Sequence, residues 1–160
     1  MPVGTRRRGR ARTSAGAVII PEKNVQSTII TFLNRAKILN NRVNGAQVSV
    51  SGENSRGNAT KRKIRCSSMN GKADVEAWLF AESPSGVRLG IMCYIEVKKS
   101  HGGKQSDDQK TFQALMEERG YYYTLATSVK DVYSFFVIMK EDVEKKLPGW
   151  KLDIGRARIQ

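Results

Sequence analysis

The run Ile91-Met92-Cys93-Tyr94-Ile95-Glu96-Val97-Lys98 joins a stretch of apolar residues to a carboxylate and an ammonium two positions apart. Alternation along a strand puts Ile91, Cys93, Ile95 and Val97 on one face and Met92, Tyr94, Glu96 and Lys98 on the other. Such an apolar run is typical of a strand buried on both sides, where charges are costly unless paired or metal-bound. An exposed, salt-bridged strand end accounts for the same spacing. Asp74 opens an earlier apolar segment, and Ser83-Pro84-Ser85-Gly86 between the two segments is a hairpin signal. Folded about that turn, Asp74 comes level with the end of 90–98, so two carboxylates and a lysine converge. Carboxylates that close repel unless a divalent cation lies between them, which makes Mg²⁺ or Mn²⁺ the natural occupant. Glu76 shares Asp74's face and competes for the role, but reads as a solvent-facing strand residue.

Two helix starts add polar groups. With Glu22 at zero degrees, Val25, Ile29, Leu33 and Ala36 fall within about 60 degrees of it at helical pitch, so Glu22 lies inside an apolar arc that Gln26 borders. At a first turn it also complements the helix dipole. Ser106-Asp107-Asp108-Gln109 matches a capping box with two acids in the first turn, which accounts for the first three residues. Gln109 also lies beside the inward face of Phe112 and Met116 and can serve both purposes. His101, the only histidine, sits in the Gly-rich loop 100–104. Without a partner base or nucleophile it supports no triad and reads as a loop residue near phosphate.

The elements that must position these groups follow from periodicity and breakers. Residues 1–18 form a flexible basic arm. A first helix opens near Pro21 and runs to about Leu39, where Asn40, Asn41, Asn44 and Gly45 end it. Gln47–Ser51 alternates as a strand, 51–60 is a polar loop, and Lys61–Cys66 is a basic strand. Strands at Asp74–Ala81 and Gly90–Lys98, a helix at Asp107–Arg119 stopped by Gly120, a strand at Tyr121–Ala126 and a helix at Val129–Val137 complete the order. Residues 140–160 are weakly patterned around a Pro148-Gly149 break. The expected architecture is one α/β domain over 19–139, a mixed central sheet flanked by helices, with a C-terminal extension of unknown role.

At 160 residues, 39% hydrophobic and 27% charged, the chain can bury one core. Its longest apolar runs are too short to cross a membrane, and Ala15–Pro21 is too short for a secretory core. Cys66 and Cys93 lack metal-knuckle spacing and form no disulfide framework, which reads as a reducing, cytoplasmic setting. The net charge of +13 is carried by residues 1–72; the rest of the chain balances. That half is suited to a polyanion, and nucleic acid is the commonest.

Asp74 followed by Glu96-Val97-Lys98 resembles the D…(D/E)-x-K signature of the PD-(D/E)XK nucleases. Glu22…Gln26, Arg42-Val43-Asn44, Gly71-Lys72-Ala73-Asp74, Ile95-Glu96-Val97-Lys98, Gly102-Gly103 and Ser106…Gln109, in that order, resemble the VRR-NUC family, the virus-type replication-repair nucleases, over residues 21–137. Ala73 stands where proline often precedes the aspartate. The resemblance implies a restriction-endonuclease-like fold, with Asp74, Glu96 and the Val97 carbonyl as metal ligands. It implies that Lys98 activates water and stabilises the phosphorane, that Glu22 completes the acidic cluster, and that Gln109 supports it. Stand-alone members are bacterial or phage proteins that resemble junction-resolving enzymes, and a homodimer would place two sites across a branch.

The expectation is a Mg²⁺- or Mn²⁺-dependent DNA endonuclease acting on branched duplexes. Arg35, Lys37, Arg42, Arg56, Lys61, Arg62, Lys63, Arg65, Lys72, Lys99 and Lys104 are the candidate DNA contacts. A sequence-specific endonuclease of homing or restriction type, and a basic nucleic-acid-binding protein without catalysis, are the alternatives. Charge does not separate DNA from RNA.

Overall fold

A computed structural model describes residues 18–43, 47–53, 59–65 and 71–155, the side chains of 47–53 and 59–65 excepted. In chain order the elements are α1 (Glu22–Arg35), β1 (Leu39–Arg42), β2 (Gln47–Glu53), β3 (Ala59–Arg65), β4 (Val75–Glu82), β5 (Arg88–Val97), α2 (Asp107–Glu118), β6 (Tyr122–Ala126), α3 (Val129–Lys146) and β7 (Lys151–Asp153). The basic arm at 1–17 lies outside the described residues.

The chain is a mixed α/β fold built on a five-stranded, mostly antiparallel sheet. Strands run β1-β4-β5-β6, and β7 shares the outer edge of β4 with β1. β1 pairs with the first half of β4 (Leu39↔Trp78 to Arg42↔Val75) and β7 with the second (Phe80↔Asp153 to Glu82↔Lys151). β4 and β5 form the expected hairpin, with Val75 opposite Ile95. β5 and β6 are parallel and joined through α2. β2 and β3 form a separate two-stranded sheet.

The two faces of the main sheet differ. Val75, Ala77 and Leu79 of β4 with Cys93, Ile95 and Val97 of β5 pack against Ile29 and Leu33 of α1 and Val132, Phe136 and Met139 of α3. The opposite face carries a smaller cluster of Ala73, Tyr94, Tyr123 and, from α2, Phe112 and Met116. Tyr94 meets Phe112 edge to face at 5.2 Å.

The largest differences from the sequence reading in element bounds are at α1 and α3. α1 stops at Arg35, not Leu39, because Lys37 takes a left-handed conformation (φ 58°). Lys37 N donates to Asn34 O and Ile38 N to Leu33 O, the Schellman pattern that usually employs glycine. Buried Ile38 then leads into β1, a strand the Asn-rich segment did not suggest. α3 runs on to Lys146, with Lys146 paired to Asp142 one turn back. The boundary expected at 139 therefore falls inside α3, and Leu152 of β7 joins the main core. Strand β2 also extends to Glu53, so the polar loop begins later.

Candidate active site

A loop leads from the end of β5 to the start of α2, and this carboxyl end of two parallel strands, β5 and β6, carries the polar cluster. Asp74 immediately precedes β4; its Oδ2 accepts from the Val97 backbone N at 2.9 Å, which pins the carboxylate across the strand pair. Glu96 is fully buried. Lys98 Nζ donates to Glu96 Oε1 at 2.6 Å and to Gln109 Oε1 at 2.9 Å, while Gln109 Nε2 donates to Glu96 Oε1. Glu96, Lys98 and Gln109 thus close a ring of hydrogen bonds around one carboxylate oxygen.

Gln109 is fixed from the other side by the capping box of α2. Ser106 Oγ accepts from Gln109 N at 3.3 Å, and Ser106 N donates to Gln109 Oε1 at 2.9 Å. One residue therefore serves both the helix start and the acidic cluster. The backbone approaches that frame the cluster are tight. A Cβ on Gly71 (φ +74°) would sit 2.1 Å from the Asp108 carbonyl oxygen, and one on Gly103 would sit 2.7 Å from Lys98 Cβ.

The electrostatics are those of a carboxylate pair taken out of water. Burial pushes Glu96 up to about 7, reinforced by the charges of Asp74 and Glu22 and opposed by the Lys98 ammonium. Burial also raises Asp74, against the pull of the Val97 amide, Lys98 and Arg42. Among the described residues, Glu96 Oε2 is buried without a hydrogen-bond partner. An orphaned carboxylate oxygen beside a second carboxylate is a donor set suited to a hard divalent cation. Among the described residues no three Asp, Glu, His or Cys side chains gather as a ready-made metal cluster. Further ligands would therefore come from backbone carbonyls, water or substrate, the coordination Mg²⁺ favours.

No protein-family model, curated protein or solved structure matches the chain.

The structure brings Asp74, Glu96, Lys98 and Gln109 together, with Val97 contributing its amide to Asp74. Glu22 is exposed at the start of α1, outside this ring, though its charge is felt by Glu96. The segment before α1 is tied to the loop after β5: Ile20 N donates to Ser100 Oγ at 2.9 Å and Ser100 N to Ile20 O at 3.2 Å. Glu76 is not solvent-facing as expected. It is 8% exposed, because β1 covers the edge beside it, and it pairs with Lys72 Nζ at 2.8 Å and Asn41 Nδ2 at 3.4 Å. Hence Lys72 is already engaged by an acid.

The other basic candidates divide by position. Arg42, at the end of β1, is near enough to lower the Asp74 pKa, and Lys99, His101 and Lys104 are exposed on the loop between β5 and α2. Arg35 and Lys37 sit at the far end of α1, roughly 20 Å from Glu22 at helical rise. There they line a cavity of about 290 Å³ with Trp78 and Phe80. Lys61, Arg62, Lys63 and Arg65 belong to β3; Arg56 lies outside the described residues. The wheel sets Glu22 inward with Val25, Ile29 and Leu33, yet of these four only Glu22 is exposed. The Val97 amide carries no side-chain signal, so only strand register could have found it.

Proposed function

We propose that the chain is a divalent-metal-dependent DNA endonuclease of the VRR-NUC branch of the PD-(D/E)XK superfamily, hydrolysing phosphodiester bonds with selectivity for branched duplexes. The observation that carries this reading is the orphaned Glu96 Oε2, held beside Asp74 and bound through its other oxygen to Lys98 and Gln109. Asp74, Glu96 and the Val97 carbonyl would hold Mg²⁺ or Mn²⁺, which would supply Lewis-acid polarisation of the phosphate and an acidified water. The remaining work belongs to the chain. The Lys98 ammonium offers a donor and a positive charge where negative charge develops on the phosphoryl oxygens. Gln109, rigid through the helix cap, holds Lys98 and Glu96 in one arrangement. The excess of cations in the first 72 residues supplies sequence-independent attraction to phosphates.

The test uses a labelled four-way junction and a matched linear duplex in Mg²⁺, Mn²⁺ and EDTA, beside Glu96→Ala. Metal-dependent cuts near the branch, absent in the variant, are expected. A single cut position on unbranched DNA would instead indicate a site-specific enzyme. Binding without cleavage, equal in the variant, would overturn the nuclease reading in favour of a basic binding protein.

A further inference from the structure

Among the described strands, β2 and β3 pair only with each other, as a ribbon separate from the main sheet. Isolated two-stranded ribbons of this kind are marginally stable in water, so a ribbon of seven-residue strands gains order from whatever it grips. Its register sorts the charges. Lys61, Lys63 and Arg65 occupy alternate positions of one face, opposite Ser51, Ser49 and Gln47. No acid stands opposite any of the three. Arg62 falls on the other face with Val48, Val50 and Ile64, its cross-strand partner being Val50. Glu53 is the only acid in either strand and pairs with Ala59.

Two residues of strand advance about 6.8 Å, so the three cations form an evenly spaced row able to follow a line of backbone phosphates. A two-stranded ribbon is also of a width that the major groove of B-DNA admits. The ribbon is inserted between β1 and β4, and the last described residue before it, Val43, donates its N to the carbonyl of Asp74 at 2.8 Å.

We infer that β2–β3 is a duplex-gripping arm that lays its Lys61–Lys63–Arg65 face along one phosphate strand of B-form DNA and delivers that strand to Asp74. This rests on the nuclease reading for its destination, but its binding step does not. The test is therefore made in EDTA, where no cleavage is required. Binding of a 20-bp DNA duplex is followed against salt for the unaltered chain, Lys63→Ala, Arg62→Ala and Lys61→Ala/Lys63→Ala/Arg65→Ala, with thermal melts confirming that each folds.

Lys63→Ala is expected to reduce the slope of log affinity on log salt by about 0.9, and the triple variant by about 2.7. At about 0.1 M salt the triple variant loses affinity on the order of a hundredfold, whereas Arg62→Ala, on the opposite face of the ribbon, loses less than Lys63→Ala. A-form RNA, whose major groove is too narrow and deep to read, should bind more weakly and respond little to the triple variant. An equal loss in Arg62→Ala and Lys63→Ala would reduce the arm to diffuse charge, and an unchanged slope in the triple variant would refute it. Preference for RNA duplex over DNA would refute the B-form fit. The nuclease reading stands or falls separately, on cleavage of the junction by the unaltered chain.

Discussion

The two faces of the main sheet are built from the same strands and do different work. On the face toward α1 and α3, every inward residue of β4 and β5 near the site is apolar, and Ile29, Leu33 and Phe136 lie fully buried against them. On the face toward α2, the same strands present Glu76, Tyr94, Glu96 and Lys98. Neighbours in β5 therefore alternate between Ile95 and Val97, which hold the fold together, and Glu96 and Lys98, which cost free energy to bury. A fold can keep an unfavourable cluster on one face when the other supplies enough apolar burial to offset it. Apolar packing and the candidate site are separated by the pleat of a single strand.

Substitutions on either side of β5 test this division, beginning with the largest effect. Glu96→Ala is expected to lower metal-dependent cleavage of a junction about a thousandfold or more while the thermal melt survives. Cleavage within tenfold of the unaltered chain would remove Glu96 from the chemistry. Its neighbour Ile95→Ala should behave the opposite way. A loss of 2–5 kcal/mol, roughly, in unfolding free energy is expected from the cavity, with the cleavage rate of the folded fraction preserved. If Ile95→Ala instead destroys activity without destabilising the chain, the division fails.

The pH dependence sharpens the same contrast. Glu96, near 7 in the fold, lies above its ordinary value, so between about pH 4.5 and 7 the native chain holds a proton that the unfolded chain releases. The stabilisation associated with protonated Glu96 is full below that window and is lost as pH rises through it; Asp74, also raised, acts in the same sense. Unfolding free energies in EDTA, compared with Glu96→Gln across pH 4.5–7.5, should show a difference that falls by up to about 3 kcal/mol. A flat difference would mean that Glu96 is ionised in the fold throughout.

Smaller effects are expected where helices support the faces. Ser106→Ala removes the cap acceptor of α2 and should cost about 1 kcal/mol, with a partial fall in cleavage because Gln109 loses its anchor. Lys37→Gly, on the apolar side of the sheet, should stabilise the chain by about 0.5–1 kcal/mol without changing cleavage, since glycine adopts the left-handed conformation that Lys37 is forced into. Chemical denaturation read by circular dichroism measures both.

Much of the site was legible because its signals are local. The alternation of Ile91–Lys98 assigned the two faces correctly, Ser83–Gly86 fixed the hairpin that brings Asp74 level with Glu96, and Ser106…Gln109 announced the α2 cap that the structure contains. What escaped depends on distant partners. β1 was hidden because the Schellman turn uses lysine where glycine is the usual marker, and because Asn40 and Asn41 resemble a helix end. β7 is three residues long and is a strand only because β4 offers it a free edge. Burial of Glu76 required both β1 and Lys72, neither of which its own segment reveals.

The bond between Val43 and Asp74 has a meaning for how such a chain can change over generations. It closes the β1–β4 pair at its mouth, so the segment between residues 43 and 74 leaves and returns through a gap spanned by one hydrogen bond of 2.8 Å. Closing a loop becomes only slowly more costly as the loop lengthens, and among the described strands β2 and β3 pair only with each other. Lengthening, shortening or exchanging the β2–β3 hairpin, without touching Gly71, Lys72 and Ala73 that pack at the site, is thus an inexpensive change that leaves Asp74 and Glu96 where they are.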